Sequence, residues 1–454
     1  MRSVNVTATT RCRAAEHAVA IYAAAVAAVH AGQAVLRAIE SAPIIPEPGP
    51  GGKILVVGAG KAAWAMVDAL ERHLGSRIHA GVAVTKHGHS QATRVVRMLE
   101  AGHPMPNEGS VVAGRAVHDL VSAASEHDVV VVALSGGASA LLELPANGLS
   151  LADLRATSDL LLRAGAPIEE LNTVRSCLSQ LKAGGLARAA APARVVVLAL
   201  SDVLGNPLEV IGSGPCVDAE MRPDRARAVL EARDLWNVVP EAVRERIAHL
   251  ERTAGHRPMA AGEPVAAGRA TRPARVTHHI VGDIWSALRA AEECARERGL
   301  RPLVLTGWLQ GEAREVGRLL GGVARDLPTN AAAHGVDCLL LGGETTVTVR
   351  GEGAGGRCQE LATAAATMMA STPSVALLAA GTDGTDGITN AAGGLVDGET
   401  SGLAAARDQD AERALRENDT YHYLAAAEGL VLTGPTHSNV GDLVVLVADE
   451  EESA

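Results

Sequence analysis

The sequence predicts an α/β protein of two domains, a Rossmann-like doubly wound N-terminal domain followed by a second α/β domain. Three observations carry this. The chain has 454 residues, more than one ordinary hydrophobic core serves. Short apolar runs at 54–57, 128–134 and 194–200 alternate with longer stretches of helical period, the pattern of parallel strands covered on both faces. Glycine-rich or polar turns follow several of these runs, beyond the strand ends where open sheets bind ligands. The expected division is an N-terminal domain over 1–235, a connector over 236–275 and a C-terminal domain over 276–454 with its core at about 335–447.

Taken in order, a long Ala-rich helix is expected over 13–40, ended by Pro43, Pro46, Pro48 and Pro50. The strand at 54–57 opens onto a glycine turn, and strands at 78–85 and 94–99 follow. A helix over 109–125 leads to the strand at 128–134. Helices are expected over 150–163 and 168–189, then the strand at 194–200. The stretch 218–275 reads as a helical connector with a loop at 254–273. Beyond it, strands are expected at 278–281, 302–306, 337–341, 345–350, 375–380 and 442–447. Helices are expected at 285–298, 312–326, 359–369 and 408–417.

Composition narrows the function. Hydrophobic residues make up 47% and aromatic residues 2%, with no Phe, so cores must be built from Leu, Val, Ile and Ala. An aromatic stacking platform for single-stranded nucleic acid is thereby disfavoured. The net charge of −11, from 41 basic and 52 acidic residues, also argues against a general nucleic-acid partner. Any anionic ligand must be held by local basic groups. Six scattered cysteines without a CxxC pair suit a reduced, cytoplasmic protein. The longest apolar stretch, 18–29, is too short to span a bilayer and reads as a helix, so no membrane partner is expected.

The turns carry the chemistry. Gly58-Ala59-Gly60-Lys61-Ala62-Ala63 joins a buried strand to a helix start. Gly58 and Gly60 permit a tight turn, and the helix end with Lys61 favours an anion. The loose dinucleotide fingerprint is met, yet the next strand ends Val84-Thr85-Lys86, without the acidic residue an NAD ribose requires. A helix-start lysine facing solvent is the alternative for Lys61. Ser135-Gly136-Gly137-Ala138-Ser139 is a second such turn, either an anion nest or a turn whose serines cap a helix. Asn172, Arg175 and Lys182 fall on the helix expected over 168–189, where spacing by seven gives Arg175 and Lys182 one basic face, for a ligand or for solvent.

Asp202 follows the strand at 194–200, as a metal ligand, a base or a turn cap. Glu344 stands in a turn after 337–341. The glycine loop 351–356 ends on Arg357, suited to clamp a phosphoryl group or simply to close a hairpin. Asp383 and Asp386, three apart, suit oxygen ligation of a hard cation, and Asn439 lies in the last turn beside His437. Several glycine turns, a few cations and several carboxylates form the inventory of phosphoryl transfer.

With these residues in hand, the chain resembles the class II glycerate kinases. This is the glycerate 2-kinase family whose C-terminal part is the MOFRL domain, some of whose members carry the name hydroxypyruvate reductase. The resemblance runs from the first helix to about residue 447. It rests on 57–62, Gly102-His103-Pro104, 134–140, 172–175, Ser201-Asp202-Val203, 212–215, 342–346, 355–360, 382–387, Asn418-Asp419 and 433–436.

It implies an active site in a cleft between two α/β domains and phosphorylation of the D-glycerate 2-hydroxyl by ATP with Mg²⁺, giving 2-phosphoglycerate. Lys61, Arg357 and Asp202 are implied as catalytic, and Asp202 and Asp386 as binding the metal or activating the hydroxyl, with Asp383 as a further metal-ligand candidate from its spacing. Gly58, Gly60, Ser135, Gly136, Gly137, Ser139, Asn172, Arg175, Lys182, Glu344 and Asn439 are implied as substrate or phosphate contacts. The implied partners are a nucleotide and a small hydroxy acid, and a homodimer is admitted but not required. The rival readings are an NAD(P)H-dependent hydroxypyruvate reductase and a ligand-binding relative without turnover.

The chain departs from the family pattern at Asn107, Ser176, Cys177, Asn206, Cys358, His437 and Gly441. These changes give the expectation that the acceptor differs from glycerate, with a longer sugar acid as the candidate.

Overall fold

A computed structural model describes residues 5–217, 221–254, 274–372 and 374–449. The loop expected over 254–273 lies, but for its first residue, outside the described residues. The chain forms two compact units, Val35–Val281 and a second made of Met1–Ala34 with Gly282–Ala454. The first helix therefore belongs with the C-terminal half, where the linear reading starts the N-terminal domain at residue 1. Residues of the expected connector close the first unit instead of standing apart.

The unit Val35–Val281 is built on six strands: β1 (Ile54–Ala59), β2 (Ile78–Lys86), β3 (Val96–Ala101), β4 (Val129–Leu134), β5 (Arg194–Leu200) and β6 (Arg275–Gly282). Their order is β3-β2-β1-β4-β5-β6, and β1–β2, β1–β4, β2–β3 and β4–β5 pair in parallel. Every residue of β1 and β4 is buried, which explains why their sequences are unbroken apolar runs rather than alternating ones. The strand order reverses between β1 and β4, so the carboxyl ends of these two strands flank the switch point at which doubly wound sheets bind ligands.

The helix expected over 168–189 is two helices, Ile168–Leu178 and Gly185–Ala190. Ser179 is extended, and Ala183 and Gly184 are left-handed, at φ 47° and 78°. The amide of Gln180 donates to the distant Leu144 carbonyl and that of Leu181 to the neighbouring Ser179 Oγ, so one tertiary and one local hydrogen bond replace the helical ones. Arg175 and Lys182 consequently share no helix face. The helix predicted over 13–40 also breaks, into Arg13–Ala28 and Ala31–Ser41.

The second unit carries β7 (Pro302–Leu309), β8 (Cys338–Gly343), β9 (Val375–Gly381), β10 (Gly393–Asp397), β11 (Leu430–Val431) and β12 (Asp442–Ala448). The sheet order is β11-β10-β9-β12-β8-β7. It is mixed: β12 runs antiparallel to both β8 and β9, whereas β7 and β8 are parallel. The helix Arg13–Ala28 packs on β9, β12 and the helix Ile284–Glu297, with Ala14, Ala18, Ile21, Tyr22 and Ala25 fully buried. Its run of small side chains serves close packing. No single helix among the described residues is long and apolar enough to cross a membrane.

The strand expected at 345–350 does not form beyond a single bridge between Thr346 and Glu312. Side-chain acceptors take its ladder bonds. The Glu312 carboxylate accepts from the Thr348 amide at 2.9 Å, and Asn418 Oδ1 accepts from the Arg350 and Gly351 amides at 2.7 and 3.0 Å.

Candidate functional site

The two turns at the switch point are locked face to face. The Lys61 amide donates to the Gly136 carbonyl at 2.9 Å, the Ala62 amide to Ser135 Oγ at 3.0 Å, and the Ser135 amide to the Ala59 carbonyl at 2.9 Å. Gly60 has φ +127°, and a Cβ there would lie 2.2 Å from Ser135 Oγ, so only glycine allows the contact. The amides that the sequence offered to an anion at the first turn are thus spent on the second. The donors shift to Gly136 and Gly137, whose amides have no protein acceptor among the described residues. Gly137 is left-handed, at φ +84°. A Cβ on it would meet His103 at 3.0 Å and the Lys61 side chain at 3.3 Å. Lys61, His103 and the open face of the second turn therefore come together. His103 is absent from the expected site residues; its only signal is the Gly102-His103-Pro104 motif.

Behind this turn lies a buried polar layer. Lys182, 2% exposed, ion-pairs with Glu143 and donates to the Ser139 carbonyl at 3.0 Å. Glu143 also accepts from Ser179 Oγ at 2.6 Å and from the Leu144 amide at 3.0 Å. Burial pulls the Lys182 ammonium below its ordinary pKa, opposed by the Glu143 charge. Lys182 thus holds the turn from behind. Arg175 donates Nε to Ser158 Oγ at 3.2 Å, and burial lowers its pKa. Asn172 joins Ser213 Oγ at 3.3 Å, and Ser213 Oγ lies 2.6 Å from Ser139 Oγ. Asp202 is partly exposed just past the carboxyl end of β5.

In the second unit, Asp442 opens β12 opposite Gly343 of β8 and Gly381 of β9, so it stands at the carboxyl ends of both. Its carboxylate takes Nε and Nη2 of Arg357, the latter at 3.0 Å, while Glu344 holds Nη1 at 2.7 Å. Burial opposes the guanidinium charge, but Asp442 outweighs it and leaves the Arg357 pKa raised. The Asp442 side chain is 7% exposed and that of Glu344 49%, so Asp442 is the fixed anchor and Glu344 the exchangeable partner. Thr382 donates its amide and hydroxyl to the Gly441 carbonyl at 3.0 and 2.7 Å, stitching the turn at 381–387 to the turn that carries buried Asn439.

Asp386 is buried at 3% exposure and caps the helix Arg357–Met369, accepting from the Cys358 and Gln359 amides at 3.2 and 2.8 Å. Asp383 Oδ1 accepts from the Thr385 amide at 3.0 Å in a local turn. No group of three or more His, Cys, Asp or Glu side chains among the described residues is arranged to hold a metal ion. Burial first, and then the Asp442 charge, push the Asp386 carboxyl up to about 7 from 3.8, against its amide hydrogen bonds. Between these values the native carboxyl keeps a proton that the unfolded chain has released. Its contribution therefore falls as pH rises from about 4 to about 7 and is level outside that window. The urea midpoint of the wild type, measured relative to Asp386→Asn, is expected to decline across that window. A pH-independent difference would refute the assignment.

Several departures from the family pattern have local structural roles. Asn107 caps the helix Glu108–Ser122, accepting from the Ser110 amide, and also accepts from the Gly102 amide at 3.0 Å. Ser176 Oγ donates to the Thr173 carbonyl at 2.7 Å, and Cys177 is buried in a helical core. Asn206 and His437 occupy left-handed positions, at φ 55° and 57°. Cys358 is buried behind the Asp386 cap.

The chain is similar to known proteins along most of its length. A domain of unknown function, DUF4147, matches residues 17–248, and the MOFRL family matches residues 337–442. D-glycerate 2-kinase of Thermotoga maritima is 40% identical over 399 residues, covering 87% of this chain and 90% of that protein. Glycerate 2-kinase of Pyrococcus horikoshii is 38% identical over 398 residues, covering 87% of each. Other relatives bear a hydroxypyruvate reductase name. The crystal structure of a Thermotoga maritima glycerate kinase matches with a TM-score of 0.82 at 36% identity, covering 96% of this chain and 99% of that one. With both halves matched in order and relatives aligned along most of its length, this chain belongs to the class II glycerate kinases, the DUF4147–MOFRL family.

Proposed function

We propose that this protein transfers the γ-phosphoryl group of ATP to the 2-hydroxyl of D-glycerate or a related small hydroxy acid, yielding 2-phosphoglycerate from glycerate. The observation that carries this reading is the locked pair of turns at the β1/β4 switch point, which sets the Lys61 side chain beside the spare amides of Gly136 and Gly137. In the reaction a bond forms between the acceptor oxygen and the γ-phosphorus. The bond from that phosphorus to the β–γ bridging oxygen breaks, ADP leaves, and the hydroxyl proton passes to a base.

Such transfer requires positioning and fixed positive charge more than covalent chemistry. Lys61 supplies one cation. Arg357 supplies another, aimed by Asp442 and able to exchange Glu344 for a phosphoryl oxygen. Mg²⁺ would neutralise charge on the phosphates, which normally supply much of its coordination beside one or two carboxylates. Asp202 and Asp383 are partly exposed and so within reach of a hydrated ion, whereas Asp386 is buried and accepts from helix amides.

The reductase reading finds less support. β2 ends at Thr85-Lys86, and Thr85 Oγ1 donates to the Lys61 carbonyl at 3.2 Å, so no carboxylate stands where a dinucleotide ribose would be bound. The test is to incubate the protein with MgATP and a panel of hydroxy acids, longer sugar acids included, while following ADP. ADP release with D-glycerate or a near relative is expected. No release with any acid, together with NAD(P)H oxidation by hydroxypyruvate, would overturn the kinase reading. Binding without either turnover would favour the non-catalytic relative.

A further inference from the structure

The segment Gly212-Ser213-Gly214 holds three successive residues in the left-handed region, at φ +59°, +63° and +57°. Glycine takes that conformation freely, whereas serine is strained in it. A serine kept where glycine would be more stable calls for a use of its side chain. Ser213 is buried at 6% exposure. Its Oγ lies 2.6 Å from Ser139 Oγ and donates to Asn172 Oδ1 at 3.3 Å.

A hydroxyl has one proton to give. With the Ser213 proton on Asn172, the short contact is made by the Ser139 proton, and Ser139 Oγ is left with lone pairs alone. Lys182 fixes the same residue through its carbonyl. Two and three residues earlier in the turn, the amides of Gly137 and Gly136 offer donors. Two donors and one obligate acceptor within four residues of one turn complement a carboxylate that carries a neighbouring hydroxyl. A phosphate ester of a nucleotide has no hydroxyl at that position to donate.

Resting on the kinase reading above, we propose that Ser213 and Asn172 are positioning residues. They set Ser139 as the hydrogen-bond acceptor for a hydroxyl of the acid substrate, while the Gly136 and Gly137 amides take its carboxylate. The relay thereby makes this wall selective for a hydroxy acid over a plain carboxylic acid.

The test is Ser213→Gly, which relieves the backbone and removes the relay. The melting temperature should hold or rise, while the KM for D-glycerate should rise about tenfold, the loss of roughly one hydrogen bond. The KM for ATP should stay within about twofold, and inhibition by propionate, which lacks the hydroxyl, should be unchanged. Asn172→Ala should show the same KM split and serves if Ser213→Gly fails to fold. An unchanged glycerate KM in an active, folded variant overturns the proposal at any melting temperature. Equal losses for glycerate and propionate overturn it as well. If the wild type turns over no acid, the kinase reading fails separately. Calorimetric binding of glycerate to wild type and variant then decides this proposal, equal affinities overturning it.

Discussion

Replacing Lys61 with alanine is expected to lower kcat by about 10²–10³-fold, the usual effect of removing one preorganised donor to developing charge. The thermal midpoint should barely move. The Lys61 backbone ties the turn in place, through its amide on Gly136 and its carbonyl on Thr85, and alanine keeps both of these bonds while removing the ammonium. The measurement is ADP release at saturating MgATP and acid, paired with a thermal melt. Undiminished turnover in the folded variant would sink the assignment of Lys61. A parallel loss of turnover and melting temperature would show a structural role instead. Lys61→Arg should recover part of the rate, because the charge is kept on a differently shaped head group.

Replacing Lys182 with methionine is expected to destabilise the protein by about 3–5 kcal/mol, since it strands a buried carboxylate. Glu143 is 3% exposed and would retain only the Ser179 hydroxyl and the Leu144 amide. The double variant Lys182→Met with Glu143→Leu should recover much of that loss, because it removes both charges from the interior. Urea unfolding of the two variants checks the ordering. Equal destabilisation of single and double variants would show that the cost comes from packing and not from a stranded charge. Turnover should fall in both, because each lets go of the Ser139 carbonyl that Lys182 holds in place.

Much of the first unit was legible in the sequence. Unbroken valine and leucine runs in β1, β4 and β5 can be satisfied only by a sheet covered on both faces, and the turns that follow them announce the ligand-binding edge. The second sheet was less legible. β10 is five residues with two glycines, too short for a periodic signal, and the 345–350 run has the β-branched composition of a strand without becoming one. There, Glu312 and Asn418, more than 30 residues away in opposite directions, capture its amides. Local propensity does not encode partners at that distance.

The sequence by itself determined the fold class, the family and the positions of the glycine turns, because these depend on composition and spacing along the chain. Only the tertiary structure decided what each turn offers. It assigned the amides after β1 to the second turn and left those of Gly136 and Gly137 as donors. It took Lys182 off a supposed basic helix face and placed it in a buried pair. It turned Asp386 into a helix cap and brought His103 and Ser213, which lay in family motifs without an expected site role, to the second turn. The physical reason is common to all of these. A hydrogen-bond donor or a charge is available to a ligand only when nothing else in the folded chain has claimed it. Those claims are made by residues distant in sequence.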